Sequence, residues 1–348
     1  MVTLKDVAER AGVSTATVSY VLNNRKKISE EVTKKVHQAI QELDYQPNMM
    51  ARALRSNKSN IIGVLSEDIT SYQVNNIVKG INEIADQEKY QILLSDLGLG
   101  DKIWNGSFQD YTKVMNYQDQ IQEKLNIFRL AGVGSIIYVG MHDRDITGLL
   151  QTDMPLVYAY SYTKNPEDIM VSSDNQKISY QTVSFMIEKG HRRIGLISGP
   201  VDSIPAFKRL IGYQTALMEA GISMDPQLVT YGNWSHTSGM KECRKLMELK
   251  DAPTAIFSMN DWMAVGAMKA MKEMGIQAGK DVEIVGFDDI ELCLFSEPQL
   301  STIRVPLEEI GREAARKITQ MSEKKEMSNN YEELPCTFIE RESFIKKQ

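Results

Sequence analysis

Beyond its first sixty residues, the chain carries side chains suited to binding a polyhydroxylated ring. Arg209 supplies a planar fork of donors, Tyr72, Tyr160 and Trp234 supply aromatic faces, and Asp68, Asp261 and Asp288 supply carboxylate acceptors. Each follows an apolar run of strand character, and open α/β sheets bind ligands beyond the carboxyl ends of their strands. Glu67 stands at the same level as Asp68. Each main candidate also has a plainer reading: Arg209 as a helix-surface cation, Trp234 as a core filler, Asp261 as the cap of its helix. Asp288 and Asp174 can equally serve to order crossovers of the chain.

Catalytic and metal chemistry finds no comparable set. Gly98-Leu99-Gly100 follows a strand, but Ile103 stands where a dinucleotide loop needs its third glycine, and neither a nucleophile elbow nor a P-loop is written in the sequence. His142, Asp143 and Asp145 read as a solvated loop without a second ligand pair. Cys243, Cys293 and Cys336 are too widely spaced for a metal clip and odd in number, so they read as buried thiols. The residues describe a binding protein without a cofactor, not an enzyme.

A second set of residues suits a polyanion. Pro47 to Ser56 reads Pro-Asn-Met-Met-Ala-Arg-Ala-Leu-Arg-Ser. Pro47 ends the preceding helix and Asn48 can cap a new one. So short a helix does not hold itself together in water, where about 12–15 residues are needed, and it should fold only against something. Met50, Ala51 and Leu54 share a face while Arg52 and Arg55 offer charge to phosphates, which suits a wedge in a DNA minor groove. The charge distribution agrees: residues 1–60 hold ten Lys/Arg against six Asp/Glu, a net +4, while the whole chain is −6.

Ahead of that stretch, Thr3 can cap a helix carrying Leu4, Val7, Ala8 and Ala11 on one face, with Asp6 at the reciprocal capping position. Gly12-Val13 breaks it and Ser14 caps a second helix burying Val18, Val21 and Leu22. A third begins at Ser29, buries Val32, Val36, Ile40 and Leu43, and should end before Pro47. Two short helices joined by a glycine turn make a helix-turn-helix.

The residues Thr3-Leu4-Lys5-Asp6-Val7-Ala8, Ala11 through Ser19, Val21-Leu22-Asn23, Tyr45-Gln46-Pro47-Asn48 and Ala51-Arg52-Ala53-Leu54 closely resemble the LacI/GalR family of bacterial transcriptional regulators. By that resemblance Ser14, Thr17, Ser19 and Asn23 position phosphates, while Thr15, Ala16 and Tyr20 face base edges in the major groove. Thr3, Lys27, Ser29, Asn48, Ala51 and Arg52 complete the DNA-contacting set, and Leu54 becomes the minor-groove lever. Many members carry arginine where this chain has Tyr20, and a tyrosine cannot read guanine bidentately. The operator sequence is therefore not legible from this helix.

The rest of the chain alternates strands and helices. Ile61–Leu65, Gln91–Leu94, Ile136–Val139 and Leu156–Ala159 read as buried parallel strands of one lobe, and Ile194–Ile197, Leu228–Tyr231, Ala255–Ser258 and Ile284–Phe287 as those of another. The resemblance continues through Ser173-Asp174-Asn175, Arg209 through Tyr213, Asn260 through Gly266, Val285 through Asp289 and Leu300 through Ile303. It implies a body of two doubly wound lobes like a periplasmic sugar-binding protein, with crossings near 171, 300 and 325. The expected fold is an N-terminal all-α helix-turn-helix head on an α/β body. Its divisions are 1–46 for the head, 47–59 for the hinge and linker, and 60–348 for effector binding and dimerisation. Leu97 to Asn126 is longer than the family's usual connection there, and is either a lid for the cleft or a surface addition.

The function implied is that of a repressor whose affinity for double-stranded operator DNA is lowered by a sugar-type effector bound between the lobes. A homodimer is expected, because one short recognition helix reads too few bases and a second half-site supplies the rest. The alternative within the same fold is a corepressor-dependent regulator responding to a nucleobase or a partner protein. A sugar-binding enzyme or transport receptor requires catalytic residues or a signal peptide. The amino terminus lacks the apolar core of such a peptide and no apolar run reaches membrane-spanning length, so a cytoplasmic protein with no membrane partner is expected.

Overall fold

Thr3 starts the first helix as its chemistry dictates. Its hydroxyl accepts from the Asp6 amide at 3.3 Å while the Asp6 carboxylate accepts from the Thr3 amide at 2.7 Å. The computed structural model describes residues 2–23, 28–45, 59–100, 116–322 and 329–346. They fall into two units, Met1–Ser59 and Asn60–Gln348.

In the first unit, α1 (Leu4–Ala11) ends at Gly12, whose φ of 67° is the left-handed conformation that a residue with a side chain adopts at a cost. Helix α2 (Thr15–Asn23) follows, and α3 (Glu30–Glu42) is capped by Ser29. Val7, Ala8, Val18, Val36 and Ala39 form the core, with Val21, Leu22, Val32, Ile40 and Leu43 half-buried around it. An ion pair between Arg10 and Glu42 ties the end of α1 to the end of α3. Helix α3 ends at Glu42, before Pro47 as expected. Asp44 turns left-handed at φ 47° and the Tyr45 amide donates back to the Ile40 carbonyl at 3.0 Å, which satisfies the last turn before Pro47 is reached.

The second unit begins with β1 (Ile61–Ser66), α4 (Tyr72–Gln87), β2 (Gln91–Asp96), α5 (Gln118–Leu130), β3 (Ser135–Val139), β4 (Leu156–Ala159) and β5 (Ile169–Ser173). There follow α6 (Asn175–Glu188), β6 (Ile194–Ser198), α7 (Ile204–Glu219), β7 (Val229–Tyr231), α8 (His236–Met247), β8 (Ala255–Ser258), α9 (Asp261–Glu273) and β9 (Glu283–Val285). The chain closes with α10 (Leu292–Phe295), β10 (Thr302–Arg304), α11 (Leu307–Ser322), β11 (Tyr331–Leu334) and β12 (Thr337–Ile339). One parallel sheet has the order β11-β5-β4-β3-β1-β2 and the other β7-β6-β8-β9, while β10 and β12 pair antiparallel. Each parallel sheet therefore has a point where strand order reverses, between β1 and β3 in the first lobe and between β6 and β8 in the second.

Two expectations are corrected here. Strand β2 is not buried: it lies at the edge of its sheet, with side chains partly exposed. The third crossing falls between Leu334 and Thr337 instead of near 325, because Tyr331–Leu334 first adds a parallel edge strand to β5. The other crossings lie between Ser173 and Asn175 and between Arg304 and Leu307, within a few residues of the positions expected.

Candidate functional site

Arg209 sits in the first half of α7, at the reversal point of the second sheet. Its Nε donates to Asn175 Oδ1 at 2.8 Å, and its Nη1 donates to the carbonyl of Met259, the residue that follows β8. The guanidinium lies flat against Phe287, 3.4 Å from the ring centroid, with Trp234 at 5.9 Å. Held in this way, a planar cation keeps one direction of its fork for a ligand. Asn175 and Phe287 were not singled out as site residues by sequence reasoning. Both lie inside segments that carry the family resemblance, and their roles follow only from the packing around Arg209.

Trp234 follows β7 and is buried, its ring lying over Gly199 at the end of β6. A methyl group on Gly199 would come within 2.1 Å of that ring, so only glycine permits the approach. Asn260 holds the same turn from the other side: its Nδ2 donates to the Trp234 carbonyl at 2.9 Å and its Oδ1 accepts from the Met263 amide, capping α9. Trp234 thus belongs to the core and also backs the Arg209 guanidinium.

Asp288 follows β9. Burial raises its pKa, Arg209 pulls it back down, and Asp261 pushes it up again. Tyr160, at the end of β4 in the other lobe, is buried and has its pKa raised by that burial; Arg209 and Asp288 are the two charges that influence it most. Tyr72 opens α4 and donates across the cleft from its hydroxyl to the Asp289 carbonyl at 3.3 Å. Burial first, and then Asp289 and Asp288, raise the Tyr72 hydroxyl to about 12. Tyr72 thus reaches the Asp288-Asp289 corner of the other lobe, and Tyr160 lies within the electrostatic reach of Arg209 and Asp288, with Trp234 behind the guanidinium.

The backbone marks the same place. Tyr160, Trp234, Asp288 and Asp289 all have positive φ, at 57°, 69°, 116° and 57°. Each such conformation costs a residue with a side chain on the order of 1–3 kcal/mol, and strain of this kind clusters at ligand sites.

Asp68 and Asp261 have their carboxylate oxygens committed to the protein's own donors, although the charge of Asp261 reaches Asp288 and Tyr72. Asp68 Oδ1 accepts from the amide and hydroxyl of Thr70, and its Oδ2 accepts from the Gly100 amide at 2.9 Å, so it joins two loops of its own lobe. Asp261 is fully buried at the first position of α9. Its oxygens accept from the Thr302 hydroxyl at 2.5 Å and from the Ile290 amide at 3.0 Å, which ties the helix to the second crossing. Asp289 is committed likewise, to Arg304 at 2.7 Å and Arg341 at 2.6 Å.

The loop after β3 overturns another expectation. Asp143 and Arg144 are buried, not solvated. Arg144 pairs with the fully buried Glu67, which also accepts from the Tyr138 hydroxyl at 2.6 Å and the Met141 amide at 2.8 Å. Asp143 receives Lys208 from the opposite lobe at 3.3 Å. Among the described residues no group of three His, Cys, Asp or Glu is placed to hold a metal ion. Neither of two surface hollows, one lined by Thr147, Asp153 and Tyr158 and one by Tyr180, Gly212 and Glu219, includes Arg209, Trp234 or Asp288 in its lining.

On the head, Thr3, Ser14, Thr15, Ala16 and Ser29 are exposed, and Thr17, Ser19 and Tyr20 are half-buried. The Ser14 hydroxyl accepts from the Thr17 amide at 3.1 Å and stands 2.9 Å from the Thr17 hydroxyl, so one polar edge forms at the amino end of α2. Asn23 closes that helix. Lys27, Asn48, Ala51, Arg52 and Leu54 lie outside the described residues, as do residues 101–115 of the long insertion.

Comparison with known proteins matches both units. Residues 3–48 match the family described as bacterial regulatory proteins, lacI family, and residues 183–344 match the periplasmic binding protein-like domain. The chain is 32% identical over 345 residues to the HTH-type transcriptional repressor CytR of Escherichia coli (strain K12), covering 98% of this chain and 96% of that one. It is 31% identical over 349 residues to catabolite control protein A of Priestia megaterium, covering 98% and 99%. Among solved structures it resembles the Lac repressor dimer bound to operator and the anti-inducer ONPF, with 27% identity, a TM-score of 0.79 and 98% of each chain covered. It also resembles the transcriptional regulator CelR in complex with cellobiose, with 27% identity, a TM-score of 0.66 and coverage of 99% and 100%.

Proposed function

The chain belongs to the lacI family of bacterial regulatory proteins, and we propose from that premise that it is a dimeric repressor whose hold on operator DNA is loosened by a sugar-type effector bound between its lobes. The observation that carries the effector site is the hydrogen bond from Tyr72 of one lobe to Asp289 of the other, beside Asp288, with Tyr160 under the influence of both Asp288 and Arg209. An aromatic ring for the C–H face of a sugar, a guanidinium nitrogen and a carboxyl group for its hydroxyls are the minimum such a ligand requires. The CelR complex with cellobiose supports a sugar as the class.

On DNA, the amino end of α2 presents Thr15 and Ala16 to base edges in the major groove, with Ser14, Thr17 and Ser19 at phosphates. Thr3, Tyr20, Asn23, Lys27 and Ser29 extend that contact, and the segment with Asn48, Ala51, Arg52 and Leu54 enters the adjacent minor groove. Two copies reading two half-sites supply the length of sequence that one short helix cannot. No helix of the described residues is long and apolar enough to cross a membrane, which fits a cytoplasmic regulator of this kind.

The reading is tested by selecting duplexes from a random pool with the purified full chain and then screening sugars for a thermal shift. Two-fold symmetric sites should emerge, and a sugar that raises Tm should lower affinity for them. Selection of no common sequence, or a stabilising sugar that tightens operator binding, would refute it.

A further inference from the structure

Lys208 and Arg209 are consecutive on α7 and face different lobes. Arg209 stays in its own lobe, on Asn175, Met259 and Phe287. Lys208 crosses the cleft. Its Nζ lies 2.8 Å from Glu333 Oε1, 3.3 Å from Asp143 Oδ2 and 3.3 Å from the Tyr331 hydroxyl, all in the first lobe. Tyr331 in turn donates to Glu333 at 2.5 Å.

The partners of Lys208 are not of equal weight. Glu333 is at a partly exposed strand edge, where an ion pair contributes little. Asp143 is fully buried, and among the described residues Lys208 is the one cation paired with it. Burial works against the charge on Lys208, but Asp143 and Glu333 more than offset it and raise its pKa; the same burial raises Asp143, and Lys208 lowers it again. A buried carboxylate separated from its counter-ion is far more costly than an exposed one. Lobe opening carries Lys208 away with α7, so the pair resists it. Another polar contact across the cleft, from the Tyr72 hydroxyl to the Asp289 carbonyl at 3.3 Å, is neutral and half-exposed.

We propose that Lys208 and Asp143 form an ionic clasp that holds the two lobes closed before any effector binds. The clasp goes beyond the effector reading, since it acts whatever the ligand is. Because it leaves the same turn of helix as Arg209, a ligand that shifts Arg209 also strains the clasp. The cleft is then a closed sensor that its ligand rearranges, not an open one that its ligand shuts.

The test measures distances between the lobes of the full chain, without added ligand or DNA, using spin labels on genetically encoded residues at Glu123 of α5 and Lys241 of α8, with the labelled chain diluted into excess unlabelled chain so that a dimer carries labels on one protomer. The wild-type chain should give one narrow distribution, and Lys208→Arg, which keeps the charge, should preserve it. Asp143→Asn combined with Lys208→Met removes both charges without stranding either, and should add a second population at longer distance. A broad or two-population distribution in the wild-type chain would overturn the clasp. So would a double variant that keeps the single narrow distribution. The wild-type measurement decides even where the double variant fails to fold, and neither result depends on which effector the protein binds.

Discussion

The guanidinium of Arg209 lies against the ring of Phe287 at 3.4 Å, and this contact joins the start of α7 to the strand end that carries Asp288. A flat cation on an aromatic face holds a fixed orientation that a flexible ammonium does not. Arg209→Lys should therefore lose effector affinity although charge is conserved. It also removes the Nε bond to the buried Asn175 side chain, at a cost of about 1–3 kcal/mol in folding stability. Urea unfolding checks the second effect and ligand titration the first. A Lys variant with wild-type affinity would mean that the charge alone matters.

Asp261 and Asp288 should separate cleanly. Asp261→Asn disturbs a buried carboxylate that already accepts from Thr302 and Ile290, so it should lower Tm. Asp288→Asn touches a group without such ties and should not lower Tm, while weakening effector binding. Calorimetric unfolding and ligand titration of the two variants make the comparison. If Asp261→Asn were neutral to stability and selectively lost the ligand, the assignment of the two residues would be reversed.

How far these roles were legible varies with their physical origin. The head was readable because its signals are local: Thr3 with Asp6, Gly12, Ser14 and Ser29 each act within four residues of sequence, and the structure shows the caps they announce. The alternation of strands and helices in the body was equally plain. Long-range facts were not. That Asp261 is a tie depends on where Thr302 arrives, forty-one residues later. His142, Asp143 and Asp145 look like a solvated loop because nothing local reveals that Lys208 comes to meet Asp143, or that Glu67 meets the neighbouring Arg144. Strand β11, with two glutamates among its four residues, lacks the apolar run by which its neighbours were found.

Asp288 also sets a pH dependence. Its pKa is raised above the ordinary 3.8 chiefly by burial, so the folded protein binds a proton there that the unfolded chain has released. The stability this contributes is fully present below the ordinary carboxylate value and is lost as pH rises from there through the folded pKa. Asp288→Asn should thus be no more stable than the wild type near pH 4 and gain on it as pH rises. Unfolding midpoints of both proteins across that range test the sign, and a gain that grows toward acid would contradict it.

For the head, Thr15 and Ala16 are the exposed residues of the first turn of α2. Exchanging both should change which duplexes are selected, with little change in Tm. Replacing Lys27 or Arg52 should weaken binding to all sequences alike and flatten its salt dependence. For the wild-type chain affinity should fall roughly 1,000-fold between about 50 and 200 mM salt if some six phosphates are neutralised. Leu54→Ala should cost more on the selected site than on random DNA, because a wedge acts through the bending of a particular step. Equal losses on both would remove the wedge.

Linkage between the two ends is the claim on which the account stands. Effector affinity is to be measured by titrating the full chain with a sugar that stabilises it, first without DNA and then with saturating operator. The account predicts weaker effector binding on the operator, by the same factor by which the effector weakens operator binding. Identical effector affinities in the two titrations would contradict it.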